Sequence, residues 1–297
     1  MNTGTNPFKV FFKMFRPKQW PKSMLVFAAP MISGEIVNWS TRDYLELILV
    51  FSLFVGLSSG IYIFNDLLDA EADRTHPTKR YRPIAAGDIS PSAAAIICVI
   101  VVILIGIISL WSSSTIRLIL VTYLVVNILY STFLKRIPFW EMFAVSSGFV
   151  LRTVAGATLV QRSPSAEFLV IVLLGSLFIV ASKRLSEIKN SEMTPRKVAN
   201  DYTKDSLSRL LLIFSTLIIA TYFLFVSSSY FKHDLNTGLV FLYLSVIPFT
   251  ITQFSILNLA EEGLLEAPEK IFWSINPVSV NALLWFIAFT THSILEI

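Results

Sequence analysis

The sequence predicts an all-α, polytopic membrane protein of one domain (residues 1–297), with nine transmembrane helices. Three observations predict it. Hydrophobic residues fill 54% of the 297 positions and charged residues only 15%, against about a quarter charged in soluble domains. Apolar runs recur along the whole chain, each close to the ~20 residues that cross a bilayer as a helix. The lysines and arginines crowd into alternate connections, which fits a single orientation across a membrane. Core helices of a large soluble protein would account for one or two such runs, not for nine.

Taken in order, the chain opens with "FKVFFKMFRPKQW" (residues 8–20), basic and aromatic at helical spacing. Residues 1–22 are therefore expected on the inner membrane surface; they lack the apolar core and small-residue cleavage site of a secretory signal. Candidate spans follow at residues 23–38, 44–64, 92–110, 116–134, 140–160, 167–183, 208–229, 238–258 and 279–295. The first is the weakest, interrupted by Pro30, Gly34 and Glu35. With the N-terminus cytoplasmic, the outer side carries only Arg42, Arg117, Arg162 and Lys232. Arg152 falls inside a span, and the other 19 of the 24 Lys and Arg residues lie inside the cell. The C-terminus is then outside. The net charge of +4 is topological, and no nucleic-acid partner is expected. The single cysteine, Cys98, sits in a span, so neither an intramolecular disulfide nor a Cys-based metal site is expected.

The outer connections are short, whereas two cytoplasmic loops are long, at 65–91 and 184–207. Long loops in a compact domain are usually functional or disordered, and these carry patterned charge. The first begins "NDLLDAEADRTHPTKRYRPIAAG" (Asn65–Gly87). If the preceding helix continues, ~100° per residue puts Asn65, Asp66, Asp69 and Asp73 on one face. Oxygen donors at that density suit Mg²⁺, which also binds substrate phosphates. Arg74, His76, Lys79, Arg80 and Arg82 follow, and arginine forks and lysine point charges are phosphate ligands. The bland alternative is a solvated loop whose charges pair among themselves; acids at membrane depth weigh against it.

The second loop opens with "ASKRLSEIKN", in which Lys183, Arg184 and Glu187 close the sixth span. They read either as inner-face anchors with a Lys183–Glu187 pair at i,i+4, or as a second phosphate-binding lip. Asp201, Tyr202 and Lys204 lie further along. Arg152, in "SSGFVLRTVAGA", needs an anionic partner or a wet cavity inside the membrane. Small residues around it, Gly148 and Gly156 among them, allow close helix approach. Glu141, three turns earlier, pairs with Lys135 or Arg136 at the rim or lines the cavity.

"NDLLDAEAD" resembles the N-D-x-x-D-x-x-x-D motif of the UbiA superfamily of intramembrane prenyltransferases. That resemblance implies a nine-helix bundle with a cytoplasmic-side active site and Mg²⁺ as cofactor. Most members carry a second Asp-rich motif after the sixth span; here Lys183-Arg184-Leu185-Ser186-Glu187 stands in its place. This replacement, with "DRTHPTKRYRPIAAGDI", "VSSGFVLRTVAGA" and "GSLFIVASKRLSEI", is similar to the branch that attaches phosphoribose to a lipid phosphate. It implies transfer from 5-phosphoribosyl 1-diphosphate to a polyprenyl (decaprenyl-like) phosphate in a bacterial inner membrane, supplying cell-envelope polysaccharide. On that basis Asn65, Asp66, Asp69 and Asp73 are the expected metal ligands. Asp66, Asp69, Asp73, Lys79 and Arg82 are the expected catalytic groups. Asn65, Arg74, Arg80, Glu141, Arg152, Lys183, Arg184 and Glu187 are expected to bind substrate. Two rivals remain: prenyl transfer to an aromatic or porphyrin acceptor, and an anion transporter. The missing second acid cluster argues against the first, and charge gathered at one face against the second.

Overall fold

The computed structural model of the chain describes residues 7–161, 164–189, 202–230, 237–265 and 276–295. Asp201 and the outer cations Arg162 and Lys232 lie outside them. The described residues hold no β-strand. Helix α1 (Pro7–Met14) leads into a 3-10 segment (Pro17–Phe27), α2 (Ala28–Ile32) and a second 3-10 turn (Glu35–Asn38). Then come α3 (Thr41–Leu68), α4 (Ala70–Arg74), α5 (Pro91–Ile108), α6 (Ser114–Thr132) and α7 (Trp140–Ala157). The series closes with α8 (Ala166–Lys189), α9 (Lys204–Tyr230), α10 (Thr237–Glu262) and α11 (Pro277–Leu295).

Six of these helices, α3, α5, α6, α8, α9 and α10, are long and apolar enough to cross a bilayer. Helices α7 and α11 stand at two more of the expected places. The first expected span, 23–38, is not one helix. Pro21 lies inside the 3-10 segment and Pro30 inside α2, and Gly34 turns the chain at φ 73°. Proline removes the N–H that an α-helical ladder needs, so tighter 3-10 turns take over.

Serines set several helix starts. Ser40 and Asp43 form a reciprocal capping box on α3. Ser90 and Ser113 cap α5 and α6, with Pro91 in the first turn of α5 where its missing N–H costs nothing. Leu47, Leu53, Phe54 and Leu57 of α3 pack against Ile116 and Tyr123 of α6 and Ala155 of α7. The 3-10 segment reaches this core through Val26. A Cβ on Gly156 of α7 would lie 1.8 Å from the Val26 carbonyl oxygen, so only glycine allows the approach. Met142, Leu177, Ala181, Leu185, Leu207, Leu211 and Ala260 join α7, α8, α9 and α10. Tyr222 stacks on Phe249 at 4.0 Å and its hydroxyl accepts from Trp285 Nε1 at 2.9 Å, which ties in α11.

Around the outside the helices are apolar and exposed. Ile96, Val99, Ile100, Ile103, Leu104 and Ile107 of α5 all face outward. Soluble monomers rarely expose so many large apolar side chains on one helix face, and lipid contact requires such a face. The chain is an integral membrane protein whose polar interior lies at the C-terminal end of α3.

Candidate active site

Helix α3 stops at Asp69, whose φ −96° and ψ 1° leave the helical region, and α4 restarts at Ala70. The break alters the single acidic face expected from the sequence. Asp66 and Asp73 turn inward and are each 4% exposed. The Asp69 carboxylate stays half open and accepts from Lys135 Nζ at 2.5 Å. Arg82 follows the short 3-10 turn Lys79–Tyr81 in extended backbone. Its Nη1 donates to Asp73 Oδ2 at 2.5 Å and to Asp66 Oδ1 at 3.1 Å. A second guanidinium, from Arg16, also donates to Asp66 and lies 5.1 Å over the Tyr62 ring. Lys13 Nζ donates to the Tyr81 carbonyl at 2.6 Å, so the N-terminal segment clasps the loop that carries Arg82. Asn65 Oδ1 is buried without a hydrogen-bond partner. Lys79 is half-buried, while Arg74 and Arg80 are exposed, Arg80 lying over Tyr81 at 4.9 Å.

The second expected site sits inside α8, whose helix continues past the apolar run to Lys189. Glu141 has no exposed surface. It accepts from Arg184 Nε at 2.6 Å and Nη2 at 2.8 Å, a bidentate pair joining α7 to α8. Arg184 Nη1 donates to Glu187 at 2.6 Å. One guanidinium therefore serves two carboxylates. Lys183 is exposed at the same end of the helix. Glu141 thus meets Arg184 rather than the rim cation Lys135, which goes to Asp69.

Arg152 is 4% exposed and ties three helices together. It donates to the Gly148 carbonyl at 2.6 Å, Ser58 Oγ at 2.8 Å and Tyr123 OH at 2.7 Å. The rings of Tyr123 and Phe54 lie 4.7 and 5.7 Å from its guanidinium carbon. Its Nε is buried with no hydrogen-bond partner. Of the two expectations, an anionic partner or a wet cavity, the first is not met: neutral oxygens and ring faces surround this charge. Tyr62 lies within electrostatic reach of Arg152, Arg16 and Tyr130, and Tyr130 within reach of Arg184.

Arg16 and Tyr62 carried no mark as site residues in the sequence, and Lys135 entered it only as a rim partner for Glu141. Arg16 and Lys135 counted there among the cytoplasmic cations, and no local signal sets either apart.

The donor set suits a hard divalent cation. Asn65, Asp66 and Asp73 offer only oxygen, and one of those oxygens is buried and unmatched. Two carboxylates converge on Arg82 Nη1, at a point that calls for positive charge. Among the described residues no three acidic, histidine or cysteine side chains form a cage of their own. Mg²⁺ does not demand one, because it keeps waters and takes substrate phosphates as ligands.

Residues 24–276 match the UbiA prenyltransferase family, and the chain belongs to that family. Within it, the decaprenyl-phosphate phosphoribosyltransferase of Mycobacterium tuberculosis is 35% identical over 285 residues, covering 92% of this chain and 90% of its own. The protein of that name from Corynebacterium glutamicum is 33% identical over 278 residues, covering 92% and 83%. A UbiA homologue from Archaeoglobus fulgidus, solved with GPP and Mg²⁺, superposes with a TM-score of 0.67. That comparison covers 97% of this chain and all of the other at 15% identity, a likeness of fold.

Proposed function

We propose that this chain transfers a 5-phosphoribosyl group from 5-phosphoribosyl 1-diphosphate to a polyprenyl (decaprenyl-like) phosphate, releasing diphosphate. The observation that carries this is the 35% identity, over nine-tenths of both chains, to a relative named for such a transfer. The site chemistry agrees. The donor has a diphosphate at one end and a separate phosphate at the other, and one acid cluster among several cations suits it better than two acid clusters.

Asn65, Asp66 and Asp73, with Asp69 at the rim, would hold Mg²⁺, which when bound neutralises the diphosphate leaving group. Arg82 and Lys79 bind diphosphate oxygens, joined by Arg16 and Lys135 beside them. The exposed Arg74, Arg80 and Lys183 receive phosphates arriving from the cytoplasm or the lipid surface. Glu187, oriented by Arg184 and through it by Glu141, accepts from a ribose hydroxyl. Arg152 sets a positive field below the site. An oxygen of the lipid phosphate forms the new bond to ribose C1 as the bond from C1 to the diphosphate oxygen breaks, its electron pair leaving with the diphosphate. The nucleophile is already an anion, so no proton has to move and no general base is needed. Catalysis is then positioning and electrostatic stabilisation.

The same proposal treats residues 1–297 as one domain with nine crossings, the broken segment 23–38 serving as the first. Residues 1–22 lie on the inner surface, and the loops 65–91 and 184–207 face the cytoplasm. The N-terminus is then inside and the C-terminus outside a bacterial inner membrane. Purified protein supplied with Mg²⁺, labelled donor and a polyprenyl phosphate tests the reaction. Label passes into a lipid product with wild type and not with Asp66→Asn. Turnover of a prenyl diphosphate, with no pentose-bearing lipid, would replace this proposal with prenyl transfer.

A further inference from the structure

The connection between α6 and α7 joins the two halves of the site in very few residues. Lys135 ends in the ion pair with Asp69, and Glu141 in the ion pair with Arg184. Between them the chain turns sharply at Phe139, with φ 62° and ψ −47°. The Trp140 N–H donates to the Pro138 carbonyl at 2.7 Å, which closes a three-residue γ-turn with positive φ. That turn is rare and strained, and a non-glycine residue holds it only where its surroundings impose it.

The imposing contact is Tyr202. Its hydroxyl accepts from the Phe139 N–H at 2.7 Å, and the two rings meet edge to face at 5.5 Å. Tyr202 is 5% exposed and is seated in the core with Met142, Leu185, Leu207 and Leu211. The Phe139 ring is 50% exposed, so burial of that side chain does not explain the turn. A residue rooted between α8 and α9 thus grips the backbone midway between two site anchors.

We propose that Tyr202 is a positioning residue: by holding the strained Phe139 turn it sets Lys135 against Asp69 and Glu141 against Arg184, aligning the two halves of the site. This rests on the transfer reaction proposed above for its kinetic readout, but not for its structural one. Glycine at 139 adopts positive φ freely, whereas valine, β-branched, is strongly disfavoured there.

The test compares Tyr202→Phe, Phe139→Gly, Phe139→Val and the double variant Tyr202→Phe/Phe139→Gly. Losing one hydrogen bond that selects a strained conformer lowers its equilibrium constant about fivefold, so the minor open state becomes about fivefold more populated. Amide exchange over residues 137–141, followed by hydrogen–deuterium exchange, therefore rises about fivefold in Tyr202→Phe whether or not any substrate turns over. In the transfer assay kcat falls by a smaller factor, because most molecules keep the turn, KM for the lipid phosphate is unchanged, and the thermal midpoint drops by at most a few degrees. The double variant recovers kcat, and Phe139→Val loses it while Tyr202 is intact. Unchanged exchange in Tyr202→Phe would overturn the proposal. So would a loss of kcat that Phe139→Gly does not restore, or a Phe139→Val enzyme as active as wild type. A wild-type protein without transferase activity would sink the reaction proposed above and leave the exchange result to decide this one.

Discussion

Glu141→Ala removes the carboxylate that holds Arg184 from α7. Glu141 is fully buried and the Arg184 side chain is 5% exposed, so water and salt screen little of their attraction. Two hydrogen bonds, of 2.6 and 2.8 Å, are lost. A hydrogen bond to a charged group contributes roughly 1.5–3 kcal/mol. Glu187 still neutralises the guanidinium at 2.6 Å, which keeps the net cost near the lower end of the ~3–5 kcal/mol typical of breaking a buried pair. We expect about 3 kcal/mol of lost stability from this substitution. The double variant Glu141→Leu/Arg184→Met removes that pair and its desolvation but leaves Glu187, 16% exposed, without Arg184, so its stability returns only to within about 2 kcal/mol of wild type. Its activity does not return: without Arg184, Glu187 is no longer oriented, and kcat stays about tenfold or more below wild type. Denaturant titration in detergent micelles, read by tryptophan fluorescence, measures the first quantity; lipid-product formation measures the second. A single variant destabilised by less than about 1 kcal/mol would refute the buried pair as a tie between α7 and α8. A double variant of wild-type activity would refute the orienting role of Arg184.

Asp73→Asn leaves Arg82 bound to Asp66 alone and should lower kcat/KM by about 10²–10³, the scale of losing one preorganised electrostatic contact; steady-state assay of the lipid product checks it. Gly156→Ala drives a methyl group into the Val26 carbonyl and should cost about 3 kcal/mol. Gly175→Ala in α8 meets nothing within 4 Å and should be neutral or stabilising by up to about 1 kcal/mol; thermal unfolding of the pair distinguishes them. Tyr123→Phe removes one of three oxygens that receive Arg152 and should cost about 1 kcal/mol, the usual scale of a polar contact between membrane helices. Chelation of divalent cations should abolish transfer and Mg²⁺ should restore it, with the fold unchanged by circular dichroism.

Much of the candidate site was legible because charge inside an apolar chain is costly and therefore conspicuous. Asp66, Asp69, Asp73, Arg82, Glu141, Arg152, Arg184 and Glu187 all stood out on that ground, and each has a buried or half-buried ionic or polar partner. Their pairing was not legible. A helical projection placed the acids on one face, but α3 ends at Asp69 and divides them between Arg82 and Lys135. The i,i+4 rule offered Lys183 to Glu187, while Arg184 takes Glu187 at i,i+3 and Glu141 from another helix. Arg152 met ring faces and hydroxyls where the sequence offered an acid or a wet cavity.

By itself the sequence determined that this is a helical membrane protein, roughly where its helices run, and which polar residues are set against the apolar background. Hydropathy and proline are local quantities, and they act through the bilayer and the backbone without reference to distant residues. Only the tertiary structure decided that Arg16, from a segment that read as a surface anchor, meets Asp66 fifty residues away. It also decided that Tyr202 holds the turn at Phe139, and that Gly156 lets a 3-10 segment lie against α7. Those are contacts between groups far apart in the chain. They depend on how helices cross and where each ends, and no spacing within one segment encodes that.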